Sequence, residues 1–124
     1  MGETLVVERS FGSAERLVFR SLRSPAERLR GLLGTTPHTA QVALVGCSSV
    51  HTFGMRYRLD IAFVGSSGVV LGVWRSVPPG RVVGARRAWV TLERPHQRGP
   101  WLVRGERVRL VEGCCENGVN DDDE

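Results

Sequence analysis

A chain of 124 residues has room for one domain with a modest hydrophobic core, and its 15 glycines favour many turns over long helices. No apolar run reaches the roughly 20 residues of a transmembrane helix, and the N-terminus carries acids without an apolar signal region, so we expect a cytoplasmic protein with no membrane insertion. Cys47, Cys114 and Cys115 lack the paired spacing of a zinc site and do not make a disulfide framework, so we expect no metal.

The charge is unevenly distributed along the chain. All 17 basic residues are arginine, and the formal net charge is +4. The last eleven residues contain no arginine and five acids: Glu116, Asp121, Asp122, Asp123 and Glu124. A basic body with an acidic tail suggests a polyanionic partner, or a tail that folds back over the basic face. The absence of lysine also fits the codon bias of a GC-rich genome, in which case the arginines form an ordinary solvated surface.

The N-terminal part of the chain is predicted to contain two strands, at 4–8 and 17–22, followed by the one helix of the domain. Ser24 can cap a helix, Pro25 suits its first position, and Glu27 completes a capping box. Gly34 is a natural end. The sequence therefore predicts a short helix at residues 25–33.

The rest of the chain has the pattern of a β protein. Short alternating or valine-rich runs predict further strands at 41–45, 49–53, 59–64, 69–75, 88–93 and 107–111. The run Gly65-Ser66-Ser67-Gly68 is a hairpin turn between two of these strands. We expect a mainly β fold at residues 1–112, a small β-barrel or sandwich that is closed or nearly so, and a disordered acidic tail at 113–124.

Three segments resemble the small bacterial and archaeal family named domain of unknown function 192. They are Arg30-Gly31-Leu32-Leu33-Gly34 at the helix end, the run with Met55, Arg56 and Asp60, and the late strand and turn at 88–95. Their order and spacing extend the resemblance over roughly residues 13–110. It implies a mostly β barrel or sandwich and no established activity. Some relatives are exported or accompany pilus or secretion genes.

The second of these segments also contains the candidate site. Arg30, His51, Met55, Arg56 and Asp60 are expected to line a groove beside the helix end, and arginines next to Met and Phe suit a small anionic ligand or a peptide carboxylate. The alternative is structural. Asp60 would then form an ion pair with Arg30, Arg56 or Arg58 that fixes the helix to the sheet.

Two other functions remain open from the sequence. Ser48, Ser49 or Cys47 beside His51 suggests a weak hydrolase with Asp60 as the orienting acid, although no nucleophile elbow is present. For Cys47 the favoured interpretation is a buried core thiol and not a nucleophile. Arginines in the C-terminal half, interleaved with Trp74, Trp89 and Trp101, suggest a nucleic-acid-binding barrel.

We expect a non-enzymatic binding or accessory module. It would have no cofactor and no catalytic residue, and its partner would be an unidentified small ligand or protein.

Overall fold

The computed structural model describes residues 3–9, 15–22 and 41–114. These residues form nine strands, which are β1 (Glu3–Arg9), β2 (Glu15–Leu22), β3 (Val42–Val45), β4 (Ser49–His51), β5 (Leu59–Gly65), β6 (Val70–Val77), β7 (Val82–Gly84), β8 (Ala88–Pro95) and β9 (Val108–Cys114). The mainly β prediction is confirmed. The predicted helix at 25–33 and residues 115–124 of the predicted tail lie outside the described residues. The prediction of a disordered tail from residue 113 is wrong for Gly113 and Cys114, because both belong to β9 and pair with β1.

Seven strands form one sheet in the order β6-β5-β8-β3-β2-β1-β9, and β4 and β7 form a separate antiparallel pair. All neighbours in the large sheet are antiparallel except β2 and β3, which are parallel. The predicted hairpin turn joins β5 to β6, where the Gly68 amide donates to the Gly65 carbonyl at 2.9 Å. The short β7 was not predicted, because its three residues follow a Pro-Pro-Gly turn and are half-buried at most.

The prediction of a closed barrel is wrong, because the large sheet is open. In the described part of the chain, the residues just before its edge strands β6 and β9 meet at one isolated bridge, between Val69 and Arg107. Beyond that bridge a loop covers the start of β6: the Val70 amide donates to Glu106 O and the Gly105 amide to Val70 O. This loop occupies the edge of β6 where further pairing with β9 would close the sheet into a barrel.

The large sheet has a hydrophobic cluster on each face. β5 shows how: Leu59, Ile61 and Phe63 belong to one cluster, and Ala62 and Val64 to the other. The first cluster includes Phe19, Leu92, Trp101 and Leu102, and the second includes Leu44, Val50, Met55 and Val77. Because both faces of β5 are covered, all seven of its residues are buried, including the polar Asp60.

The turn at Gly68 brings the β5–β6 hairpin against β9, and this position requires glycine. Gly68 has φ +90°, and an added Cβ would collide with the Val108 carbonyl oxygen. We expect Gly68→Ala to lower the free energy of unfolding by about 2 kcal/mol, measured by urea denaturation. Gly46 is a matched control, since it has φ +84° but open space around it. Gly46→Ala should cost about 1 kcal/mol, from backbone strain alone. Equal losses would contradict the steric explanation.

Candidate functional site

A buried ion pair connects β5 to β8. Asp60 lies opposite Arg94 in the antiparallel register of these strands, and the Arg94 Nε donates to Asp60 Oδ2 at 2.9 Å. The side chain of Asp60 is 0% exposed and that of Arg94 is 7% exposed. The Arg94 guanidinium also lies over the Trp101 ring, 4.5 Å from its centroid, which is a cation–π geometry. Arg94 therefore joins the carboxylate to the hydrophobic cluster that contains Trp101.

Three more donors converge on the second oxygen of Asp60. Oδ1 lies 2.8 Å from His96 Nδ1, 2.9 Å from the Ser76 amide nitrogen and 3.1 Å from Arg75 Nε. The Ser76 amide reaches the carboxylate because the register of β5 and β6 shifts between Leu59 and Ile61, opposite Asp60. Ser76 has φ 56°, a left-handed conformation that non-glycine residues seldom adopt.

These contacts determine the charge state of Asp60. Burial by itself would raise the pKa of this carboxyl, but the hydrogen bonds from His96, the Ser76 amide, Arg94 and Arg75 outweigh it and hold the pKa below the ordinary value of 3.8. Asp60 is therefore ionised at neutral pH.

Around this buried carboxylate lie three exposed basic side chains, Arg58, Arg75 and His96, which we call the cationic rim. Arg58 Nη1 donates to Ser76 O at 2.9 Å, and the Arg58 carbonyl accepts from the His96 amide at 2.8 Å. Arg75 Nη2 donates to Gln97 O at 2.9 Å and to Gly99 O at 3.2 Å. Asp60 and the backbone thus hold the rim in place, while Arg94 balances the single negative charge from inside.

The structure separates the residues of the predicted groove. Met55 is buried in the second hydrophobic cluster, whereas His51 is exposed and stacks on Phe53 with ring centroids 5.3 Å apart. Arg56 is exposed, and Arg30 lies outside the described residues. In the part of the chain that the structure describes, the ionic partners of Asp60 are Arg94, Arg75 and His96, not Arg56 or Arg58.

Sequence reasoning missed Arg75, Arg94 and His96. Only Arg94 had a usable signal, because pairing the predicted strands 59–64 and 88–93 as neighbours extends naturally to Asp60 and Arg94. Arg75 reaches the carboxylate at an irregular point of β6, and His96 follows the end of β8. The alternation of side chains along a regular strand therefore predicts neither contact.

The structure also pairs Asp60 with a different histidine from the one that the hydrolase hypothesis requires. Ser49 and His51 are exposed residues of β4, and within the described residues the histidine that contacts Asp60 is His96. Cys47 is half-buried, and its carbonyl accepts from Thr91 Oγ1 at 3.0 Å. The orienting acid that a Ser49–His51 pair needs is thus occupied by another histidine.

Three carboxylates of the described residues are buried: Asp60, Glu93 and Glu106. Arg9 binds Glu106 with two nearly parallel hydrogen bonds of 2.8 and 2.9 Å. Tyr57 is half-buried near Glu93. Its pKa is raised, mainly by burial and also by the negative charge of Glu93.

Most arginines of the described residues are exposed: Arg16, Arg20, Arg56, Arg58, Arg75, Arg81, Arg86, Arg87, Arg98, Arg104, Arg107 and Arg109. The surface of the described strands and loops is therefore far more basic than the net charge indicates.

Across residues 3–9, 15–22 and 41–114, no group of three or more His, Cys, Asp or Glu side chains could hold a metal ion. No helix in that part of the chain is long and apolar enough to cross a membrane.

No family model matches the chain, and no curated protein does. Two solved structures have a similar fold. A protein of unknown function from Novosphingobium aromaticivorans DSM 12444 has 21% sequence identity and a TM-score of 0.62, and the match covers 84% of this chain and 83% of that one. A protein from Sinorhizobium meliloti 1021, described as a candidate transcription regulator, has 16% identity and a TM-score of 0.63, over 89% of this chain and 94% of that one. At these identities the likeness shows the fold alone.

Proposed function

We propose that this protein is a non-enzymatic binding module of the domain of unknown function 192 family, and that the cationic rim holds the anionic group of its ligand. The observation that carries the proposal is the buried carboxylate of Asp60, which positions Arg75 and His96 at the surface. The ligand chemistry is a carboxylate or a phosphate, the oxyanions that arginine binds most readily.

The charge balance supports this assignment. Asp60 contributes one negative charge, and Arg94 compensates it from the buried side. Arg58 and Arg75 then leave an excess of positive charge at the surface, and Arg58 has no acidic partner among the described residues. Because the rim side chains are held by the carboxylate and by carbonyl groups, an anion would pay little to order them.

The role of each residue follows from its position. Arg58, Arg75 and His96 would contact the anion, and Asp60 would act as a positioning residue from beneath. His51 and Arg56 are exposed on the segment that leads into Arg58, so a peptide ligand would extend from the rim along that segment. Met55 would support this segment from the core.

The proposal is tested by NMR titration of the whole chain with inorganic phosphate and with one acetylated peptide in two forms, ending in a free carboxylate or in an amide. We expect amide shifts at residues 58, 75 and 96. Arg58→Ala should weaken binding about fivefold to tenfold, because it removes one charge-assisted hydrogen bond of about 1–1.5 kcal/mol at an exposed site.

Arg20→Ala is the matched control, since Arg20 is exposed on β2 and outside the rim. Equal weakening by Arg20→Ala, or shifts spread over the whole surface, would contradict a defined site. Binding of phosphate alone indicates a phosphorylated ligand, whereas discrimination between the two peptides indicates a carboxylate. Arg56→Ala shows whether the ligand reaches the segment before Arg58.

A further inference from the structure

Two surface grooves away from the cationic rim each combine an exposed tryptophan with arginine. The Trp89 groove has a volume of about 420 Å³ and is lined by Trp89, Arg107, Arg109, Ser66, Ser67 and Gly68, among others. The Trp74 groove has a volume of about 490 Å³ and is lined by Trp74, Arg104, Leu71, Gly72, Val73 and Gly84, among others. Each is large enough for one ring system and its attached polar group.

The linings of the two grooves come from the same segments of the chain. Gly68 lines the first and Leu71–Trp74 line the second, so β6 and the turn before it contribute to both. The segment between β8 and β9 supplies Arg104 to one groove and Arg107 to the other. Hydrogen bonds of 2.7–2.9 Å fix this segment to Gly68 and Val70. The seven residues from Gly68 to Trp74 would span about 20 Å if fully extended, the length of several nucleotides rather than of one small ligand.

Both indole rings are exposed, and the ring of Trp74 is also held by its neighbours. Trp74 is 37% exposed and packs edge-on against Phe63, with ring centroids 5.5 Å apart and planes at 87°. Its ring also covers Gly72, where an added Cβ would collide with it. Trp89 is 40% exposed and lines its groove beside Arg107 and Arg109. An aromatic face that is already ordered, as that of Trp74 is, can stack on a base with little loss of conformational entropy.

The charge of this surface selects a polyanion. The residues that line the two grooves include three arginines and no acid, and the nearby Glu106 is turned inward to Arg9. An acid that approaches a groove arginine is Glu8, 3.9 Å from Arg109, whose side chain is 79% exposed, so this contact costs little to exchange for a phosphate. We propose that single-stranded nucleic acid binds along this path, with bases stacked on Trp74 and Trp89 and phosphates beside Arg104, Arg107 and Arg109. Alternating aromatic platforms and cations are the general means of holding single strands, whose bases are free to stack. The lining of these grooves shares no residue with the cationic rim, and the inference does not depend on the proposed function.

The test is fluorescence anisotropy of the whole chain with a labelled 20-nucleotide oligo(dT), at several salt concentrations. We expect Trp89→Ala and Trp74→Ala each to weaken binding about tenfold, the usual loss for one base–aromatic stack. We also expect the logarithm of the affinity to fall linearly with the logarithm of salt concentration, and Arg107→Ala to reduce that slope by about one contact.

Two variants control for surface changes in general. Phe53→Ala removes an aromatic side chain that is 54% exposed outside the grooves, and Arg20→Ala removes an exposed arginine on β2. Neither should reduce affinity more than about twofold at moderate salt. The proposal is overturned if oligo(dT) does not bind, if Phe53→Ala weakens it as much as the tryptophan variants do, or if heparin or a duplex of equal length binds as tightly. Arg58→Ala should weaken oligo(dT) binding no more than Arg20→Ala does, and Trp89→Ala should leave the phosphate titration of the rim unchanged, so failure here and failure of the rim are distinguishable.

Discussion

Asp60→Asn is expected to lower the free energy of unfolding by about 3–5 kcal/mol, because it leaves the Arg94 guanidinium buried without its counterion. The carboxylate also accepts hydrogen bonds from the Ser76 amide and His96, and an amide oxygen would accept these more weakly. Urea denaturation monitored by tryptophan fluorescence measures this loss, since Trp101 lies against Arg94.

Two variants separate this explanation from a general loss of charge. Glu8→Gln removes a partly exposed acid whose nearest arginine nitrogen is 3.5 Å away, and it should cost less than about 1 kcal/mol. The double variant Asp60→Asn with Arg94→Gln removes both buried charges and should be more stable than Asp60→Asn alone. If the double variant is less stable than the single one, the unpaired guanidinium is not the cause.

The same pair makes stability depend on pH. Because the pKa of Asp60 is lower in the folded protein than its ordinary value of 3.8, the unfolded chain binds the proton more readily. The stabilisation is thus complete above that ordinary pKa and is lost as pH falls from about 4 through the lower pKa of the folded state. Asp60→Asn should show a flatter decline in this acidic range. A parallel decline for wild type and variant would assign the acid sensitivity to other carboxyls.

Glu106→Gln is expected to lower the free energy of unfolding by about 3 kcal/mol, because it breaks a second buried ion pair. Glu106 binds Arg9, which is 97 residues away, and its Oε1 also accepts from the Val103 amide at 2.7 Å. The pair therefore joins β1 to the segment that covers the start of β6. Losing the charge weakens three hydrogen bonds at once and leaves Arg9, which is mostly buried, with less compensation.

Hydrogen exchange locates this second effect. The Gly105 and Val108 amides donate to Val70 O and Gly68 O. They should exchange faster in Glu106→Gln than in the wild type by more than the difference in global stability between the two proteins accounts for. Amides of β5 and β8 should keep their order of protection. Uniform acceleration across the sheet would show that the pair contributes only to global stability.

Local sequence patterns were a good guide to the strands and a poor guide to the partners of the site. Leu59, Ile61 and Phe63 alternate with Asp60, Ala62 and Val64, and β5 forms where this alternation predicts it. The alternation predicts a strand with two different faces. It does not say that both faces are covered, which depends on residues from other segments, such as Val50 of β4 on one face and Trp101 on the other. Asp60 is fully buried for that reason and not because of its neighbours in sequence.

By itself the sequence determined a mainly β domain, the approximate positions of eight strands and the turn at 65–68, because these depend on neighbouring residues and on the conformational freedom of glycine. It also singled out Asp60 as a carboxylate in need of a cation. Only the tertiary structure decided which cation. Arg94 and His96 are 34 and 36 residues from Asp60 along the chain, and Arg75 and Ser76 face it because the register of β5 and β6 shifts at that point. Strand order, register and the burial of Asp60, Glu93 and Glu106 depend on segments that are distant in sequence and meet in space. The alternation of residues within one strand does not determine them.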